Sequence, residues 1–165
     1  MEEGAAVSSN GLRYANPKDA FIARTQPLVW SDCLIWAGSV TKGGYGKIYA
    51  DGKIVSAHRF AWEQENGPIP DGRQIDHSCH TRSCVNHEHL RLATSSQNNA
   101  NRSHYRKRPS KYGRGVRHDR GRYSAYVIVN GEVISRYGFA TPAAAAEAAR
   151  ELRAEHFGTF SGKNW

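Results

Sequence analysis

Apolar positions gather in short runs separated by polar, glycine-rich stretches, and the first dense run is Trp30, Leu34, Ile35 and Trp36 around Cys33. Such a run predicts a compact strand. Gly43-Gly44-Tyr45-Gly46-Lys47-Ile48-Tyr49 predicts a second strand, and Asp51-Gly52 a two-residue hairpin turn into Lys53-Ile54-Val55-Ser56. Upstream, Asn16-Pro17 followed by Lys18 to Ala23 reads as a short capped helix. Residues 1–15 are small and polar and are expected to be loose. Ala57 to Asn66, with Phe60, Ala61 and Trp62, predicts a helix; Gly67-Pro68-Ile69-Pro70-Asp71-Gly72 predicts a loop leading into Gln74-Ile75-Asp76-His77. After Leu90-Arg91-Leu92, Thr94-Ser95-Ser96-Gln97 matches a helix capping box, which puts Asn98 in the first turns of a helix ending near Arg102.

The pattern then changes. Arg114 to His118, Tyr123 to Val129 and Glu132 to Tyr137 read as three strands, the last two joined by the hairpin signal Asn130-Gly131. Thr141-Pro142 opens an alanine-rich helix with Ala143, Ala146, Ala149, Leu152 and Phe157 as candidate buried positions, closed by Gly158. The expectation is an α+β chain: a loose N-terminus at 1–15, a first domain at 16–103, a basic linker at 104–112, and a three-stranded antiparallel sheet packed on one helix at 113–165.

Charge narrows the partner. The 165 residues carry a formal charge of +8, which favours an acidic polymer, nucleic acid ahead of a membrane surface. Nine Lys or Arg fall between Arg102 and Arg122 against the single acid Asp119. Arg102, Arg106, Lys107, Arg108 and Lys111 in that run, interleaved with His104, Tyr105 and Tyr112, are candidate phosphate contacts. Three cysteines cannot all pair with one another. The start, Met1-Glu2-Glu3-Gly4, has no basic or apolar signal region, and no apolar stretch approaches the ~20 residues of a membrane span. An intracellular, non-secreted protein is expected, where thiols more often serve metals than disulfides.

Four residues separate Cys79 from Cys84, and His89 follows after four more. Zinc favours four tetrahedral ligands drawn from thiolate and imidazole, and Cys33 is the remaining cysteine for the fourth place. His80 and His87 are rival ligands. A structural zinc suits so glycine-rich a unit, because metal-binding free energy becomes folding free energy.

A second chemistry overlaps the first. Cutting a phosphodiester needs a base to deprotonate water and a cation to stabilise charge on the phosphate and the leaving oxygen. His77, with an ordinary pKa of about 6.5, suits the first task. Asp76 and Asn98 offer hard oxygen ligands suited to Mg2+ or Mn2+. Neighbours on a strand point to opposite faces, so Asp76 and His77 share one phosphate only if the chain bends there.

The stretch from Cys33 to Asn98 resembles the HNH (beta-beta-alpha-metal) endonucleases, particularly homing endonucleases of phages and introns. Asp76-His77, the Cys79–Cys84 loop, Asn86, His89-Leu90 and Gln97-Asn98 follow that pattern in order, after a lead-in of Cys33-Leu34-Ile35-Trp36, Gly44-Tyr45-Gly46 and Ala57-His58-Arg59. The spacing of His77, Cys79, Cys84, His89 and Asn98 also resembles the His-Cys box enzymes. The resemblance implies His77 as general base, Asn98 and Asp76 on the catalytic cation, and Cys33, Cys79, Cys84 and His89 on zinc. It further implies hydrolysis leaving 5′-phosphate and 3′-hydroxyl ends. His89 is zinc ligand or loop anchor, since zinc-free members carry Asn there. Arg59 is a scissile-phosphate contact or a helix-end salt bridge. His87 replaces a frequent Pro, and Leu34 a frequent Trp.

Arg114-Gly115-Val116-Arg117, Tyr123-Ser124-Ala125, Gly138-Phe139 and the alanine-rich helix resemble the ethylene-response-factor type of DNA-binding domain. That resemblance implies a sheet in the major groove of double-stranded DNA, with Arg114, Arg117, Arg122, Tyr126 and Arg136 as candidate contacts. A monomer with one active site would nick one strand, and a homodimer or two binding events would cut both. The alternative is a non-catalytic, zinc-stabilised DNA-binding regulator; an RNA nuclease is disfavoured because a sheet reader suits a duplex major groove that RNA closes off.

Overall fold

The computed structural model describes residues 6–7, 13–14, 16–102 and 111–162. Its elements are β1 (Ala6–Val7), β2 (Arg13–Tyr14), α1 (Pro17–Ile22), β3 (Thr25–Pro27), β4 (Leu34–Trp36), β5 (Lys47–Ala50), β6 (Lys53–Ser56), α2 (Ala57–Asn66), β7 (Gln74–His77), β8 (Leu90–Ala93), α3 (Ser95–Asn101), β9 (Val116–Asp119), β10 (Arg122–Val129), β11 (Glu132–Phe139) and α4 (Pro142–Phe157). They form two compact units. One takes the described residues up to Asp71 with His77–Leu92; the other takes Gly72–Asp76 with the described residues from Ala93 onward. No helix among the described residues is long and apolar enough to cross a membrane.

In the first unit, Asn16 caps α1 by accepting from the Asp19 amide at 2.9 Å. Phe21 on α1 packs against Trp36 at 5.7 Å and Phe60 at 5.4 Å between ring centroids. β3 pairs with β4, and β5 with β6, both antiparallel. Asp51 and Gly52 carry φ of 50° and 78°, as a type I′ hairpin turn needs. Gly46 is required for a different reason. A Cβ there would lie 2.6 Å from the Trp36 ring and 2.9 Å from Ala57 Cβ, so the backbone must pass bare. Trp36, Ile48, Ala57, Phe60, Cys84, Val85 and Leu90 form the buried interior.

Two expectations shift. Trp30, placed with the apolar strand by its neighbours, is 81% exposed, because the strand begins only at Leu34. Within the expected loose N-terminus, Ala6–Val7 and Arg13–Tyr14 pair as two short strands, and the Arg24 guanidinium lies 4.6 Å over the Tyr14 ring.

In the second unit, β9, β10 and β11 form an antiparallel sheet with β10 central. α4 is capped by Thr141, which accepts from the Ala144 amide at 3.2 Å. Its buried stripe is Ala145, Ala148, Ala149, Leu152 and Phe157, facing Val116, Ala125 and Val127. Ala143, expected inside, is exposed. A run of four consecutive alanines cannot set its own helical phase, so Leu152 and Phe157 set it by spacing back to Ala145 and Ala149. Gly115, at φ 76°, is forced by approach: an added Cβ would meet the Tyr126 carbonyl oxygen at 2.6 Å.

α3 falls in the second unit, together with the C-terminal sheet. Ala100 belongs to the second core, Ser96 Oγ accepts from the Asn130 amide at 3.1 Å, and Arg114 donates to the Asn99 and Ala100 carbonyls at 3.2 and 2.6 Å. These contacts hold α3 to the C-terminal sheet.

Candidate active site and metal centre

Cys33, Cys79, Cys84 and His89 come together, all four ligand atoms lying within 4.8 Å of one another. The backbone places them. The Trp36 amide donates to Ser83 at 2.8 Å and the Val85 amide to Leu34 at 2.7 Å, so the Cys84 segment runs against β4 beside Cys33. Buried Asn86 donates through Nδ2 to Asp32 O at 2.7 Å and accepts from the Glu88 amide at 3.1 Å. It thereby ties the 3₁₀ turn His87–His89 to the residue before Cys33. His89 Nδ1 lies 3.5 Å from Cys33 Sγ and 3.6 Å from Cys84 Sγ. His80 and His87 stand outside the cluster.

A tetrahedral zinc about 2.3 Å from sulfur and 2.0 Å from nitrogen spaces its ligand atoms about 3.5–3.8 Å apart, so the donor set and its spacing fit that ion. Hydrogen bonding from Cys84 draws Cys79 down to about 4, and the same contact, with burial, pushes Cys84 up. A bound divalent cation would hold all three as thiolates.

His77 belongs to the same unit and is 7% exposed. Its Nε2 lies 3.0 Å from the Cys84 carbonyl oxygen. A carbonyl can only accept, so in the neutral ring Nε2 carries the proton and the lone pair sits on Nδ1. The His58 ring lies 4.9 Å from that of His77, tilted by 53°, and Tyr45 lies 5.5 Å from His58 and 6.1 Å from His77 between ring centroids. Burial, then the neighbouring His77 and Arg59, push the His58 imidazole down to about 3, so His58 is neutral at physiological pH. Its Nδ1 is buried with no hydrogen-bond partner. Arg59 is exposed on α2. Arg82 reaches across to donate to Gly43 O at 2.9 Å and lies 5.6 Å over the Tyr45 ring.

Asp76, next in the chain, belongs to the second unit and finds partners there. Asn101 Nδ2 donates to both carboxylate oxygens, at 2.9 and 2.8 Å. Asn98, the expected companion of Asp76, instead donates to Gln74 Oε1 at 2.5 Å. The pairing is a matter of periods: Gln74 and Asp76 share one strand face at i, i+2, and Asn98 and Asn101 share one helix face at i, i+3. Thr94 and Gln97 form the reciprocal capping box that starts α3 in this phase.

The basic candidates divide. Arg117 and Ser124 face each other across β9 and β10, next to buried Val116 and Ala125, so strand alternation puts Arg117, Arg122 and Tyr126 on the outer face of the sheet. The Arg117 guanidinium lies 4.0 Å over the Tyr126 ring. Arg136 is opposite Ala125 on the helix side, paired with Glu151 and Glu155 at 2.6 and 3.0 Å. Arg114 is taken up by α3 carbonyls. Arg102 is exposed at the end of α3, and Lys111 Nζ lies 5.5 Å over Tyr112. Arg106, Lys107 and Arg108, with His104 and Tyr105, lie outside the described residues.

Tyr45, His58, Arg82 and Asn101 were not singled out from the sequence for these contacts. Tyr45 and His58 fell within lead-in segments, and Asn101 follows Asn98 by one helical spacing; Arg82 carried no signal beyond lying between two cysteines.

Residues 55–100 match the HNH endonuclease family. Protein 7.7 of Escherichia phage T7 is 40% identical over 67 residues, 41% of this chain and 52% of that protein. The uncharacterized gene 5.3 protein of Enterobacteria phage T3 is 64% identical over 33 residues, 20% of this chain and 33% of that one. An uncharacterized HNH endonuclease of Acanthamoeba polyphaga mimivirus is 33% identical over 125 residues, covering 74% of this chain and 64% of the relative. The chain thus spans between a third and just under two thirds of these relatives. No solved structure matches. With His77, Cys79, Cys84, His89 and Asn98 inside the matched segment, residues 55–100 are an HNH endonuclease domain.

Proposed function

We propose that the chain is a metal-dependent endonuclease of phage or mobile-element type that hydrolyses double-stranded DNA. The observation that carries this reading is His77, whose Nε2 is held by the Cys84 carbonyl inside the HNH domain, leaving Nδ1 as the basic atom. In the reaction, Nδ1 takes a proton from water, and the resulting hydroxide oxygen adds to phosphorus. The bond from phosphorus to the 3′ oxygen breaks, and that oxygen takes a proton from solvent. The products are a 3′-hydroxyl and a 5′-phosphate, and His77 returns its proton to solvent. A positioned base of this kind contributes roughly 100- to 10,000-fold.

Asp76 would hold the catalytic cation, Mg2+ or Mn2+, with an amide oxygen from Asn101 or Asn98. The cation would supply charge neutralisation at the phosphate and the departing oxygen. Asp76 fits: it is buried, and its hydrogen-bond partner Asn101 is an uncharged amide that can present oxygen by rotating. Cys33, Cys79, Cys84 and His89 would hold a structural zinc. DNA would be bound by Arg102, Lys111 and the run through Arg106, Lys107 and Arg108, and by Arg117, Arg122 and Tyr126 on an ethylene-response-factor-like sheet. Arg59 is a further candidate at the scissile phosphate.

The test is incubation of supercoiled plasmid with the protein in Mg2+, in Mn2+ and in EDTA, with end-group analysis. Cation-dependent nicks or breaks bearing 5′-phosphate are expected. Binding without cleavage under every condition would favour the non-catalytic DNA-binding regulator.

A further inference from the structure

Arg82 occupies a position that neither the zinc cluster nor His77 accounts for. It lies in the loop between Cys79 and Cys84, two residues before the carbonyl that holds His77 Nε2. Its side chain is held at two points: Nη1 donates to Gly43 O at 2.9 Å, and the guanidinium lies 5.6 Å over Tyr45. Tyr45 is also the ring that flanks His77, at 6.1 Å. One tyrosine thus neighbours both the candidate base and an arginine.

The receiving turn is itself well determined. The Thr41 amide donates to Tyr45 O at 2.7 Å, the Gly44 amide to Thr41 O at 2.9 Å, and the Tyr45 amide to Thr41 Oγ1 at 3.1 Å. Gly44 takes φ 84°, which lets the turn close. Among the described residues no carboxylate neutralises Arg82, and the side chain is exposed. A fixed, unneutralised guanidinium that shares a tyrosine neighbour with a candidate general base has donors to spare, since one carbonyl engages only part of its five-donor fork. Such a group recognises a phosphate oxygen.

Resting on the nuclease reading above, we propose that Arg82 binds the phosphate that His77 attacks through water, holding it in place and stabilising its charge as the bond breaks. The Cys/His cluster then has a second role: by fixing the Cys79–Cys84 loop it positions Arg82 as well as the Cys84 carbonyl. Arg59, on α2, differs in that its charge is felt at His58, whereas Arg82 is secured over Tyr45.

The experiment compares wild type, Arg82→Gln and Arg82→Lys. Gln keeps a donor for the Gly43 carbonyl but removes the charge; Lys keeps the charge but not the fork. Duplex binding is measured against salt concentration in a His77→Ala background, and nicking at saturating DNA in the His77 background, with bound zinc and thermal melting recorded for each. Loss of one phosphate contact lowers the slope of log K against log salt by about 0.9, and that is the expected result for Arg82→Gln. Arg82→Lys should keep the slope. Nicking should fall on the order of 100-fold in Arg82→Gln, as for loss of one donor to a transition-state oxyanion.

An unchanged slope with an unchanged rate overturns the proposal. So does a lower rate with an unchanged slope, which would make Arg82 a strut between loop and turn. If Arg82→Gln loses zinc or its melting transition, Arg82→Lys decides: a zinc-loaded Lys variant with a reduced salt slope contradicts a charge-based contact, and a retained slope with slowed nicking supports it. A wild type that neither binds nor cuts DNA would instead remove the nuclease reading itself.

Discussion

Asn101 donates one amide group to both carboxylate oxygens of Asp76, at 2.9 and 2.8 Å, and both residues are buried. The contact fixes the carboxylate from the helix that follows the cysteine loop. Asn101→Ala should leave a buried carboxylate short of a donor, which costs about 1–3 kcal/mol. Asn101→Asp should cost more, by placing like charges together. Thermal or urea unfolding of the variants checks this, with Asn98→Ala, whose partner is Gln74, expected to perturb Asp76 less.

The Cys/His cluster should bind one zinc per chain. Cys79→Ser or Cys84→Ser should lose that metal and much of the cooperative unfolding of the first unit, because binding and folding free energy are coupled. Metal content and circular dichroism before and after chelation provide the check. His80→Ala and His87→Ala should keep the zinc, since both lie outside the cluster.

His58 supplies a pH dependence. Its folded-state pKa is lowered from 6.5 to about 3, chiefly by burial. The unfolded chain therefore takes up a proton below about 6.5 that the folded one refuses, so stability is fully present above that pH and declines on acidification toward 3. The limiting slope is about 1.4 kcal/mol per pH unit. Replacing His58 with Phe should flatten the stability profile between pH 6 and 4.5 by a slope approaching that value. An identical slope in both proteins would contradict a buried neutral imidazole.

On the C-terminal sheet, Arg117→Ala should weaken duplex binding and reduce its salt dependence by about one phosphate's worth. Arg136→Ala should leave binding nearly unchanged, since its guanidinium is engaged by Glu151 and Glu155. Its stability cost should stay within the ~0.2–1 kcal/mol typical of exposed ion pairs. Binding isotherms at several salt concentrations separate the two.

Leu152 is 3% exposed in the core beneath that sheet. Leu152→Ala should destabilise the second unit by roughly 2–5 kcal/mol. A shift in its urea midpoint is the readout.

Much of this arrangement was legible in the sequence where local chemistry dictates local form. Asp51-Gly52, Thr94 with Gln97, and Asn16-Pro17 each specify a turn or cap within four residues, and each takes that form. The spacing of Cys79, Cys84 and His89 pointed to a cluster able to hold a metal, Cys33 could be added because it was the remaining thiol, and the four do come together. What depended on tertiary phase was not legible. Whether Asn98 or Asn101 meets Asp76 turns on how α3 lies along β7, and the sequence offers both amides. Arg136 and Arg117 look alike in sequence, but register places one opposite Ala125 on the helix side and the other opposite Ser124 on the outer face. Arg82 gained meaning only once the turn at Gly43 came within reach.

The central claim is that His77 is the base that activates water. The most direct test is single-turnover nicking of supercoiled plasmid by wild type and His77→Ala at matched zinc content and matched DNA binding. The account predicts that the variant binds DNA as wild type does, while its rate falls by at least about 100-fold. A zinc-loaded His77→Ala protein that cuts at the wild-type rate would contradict it.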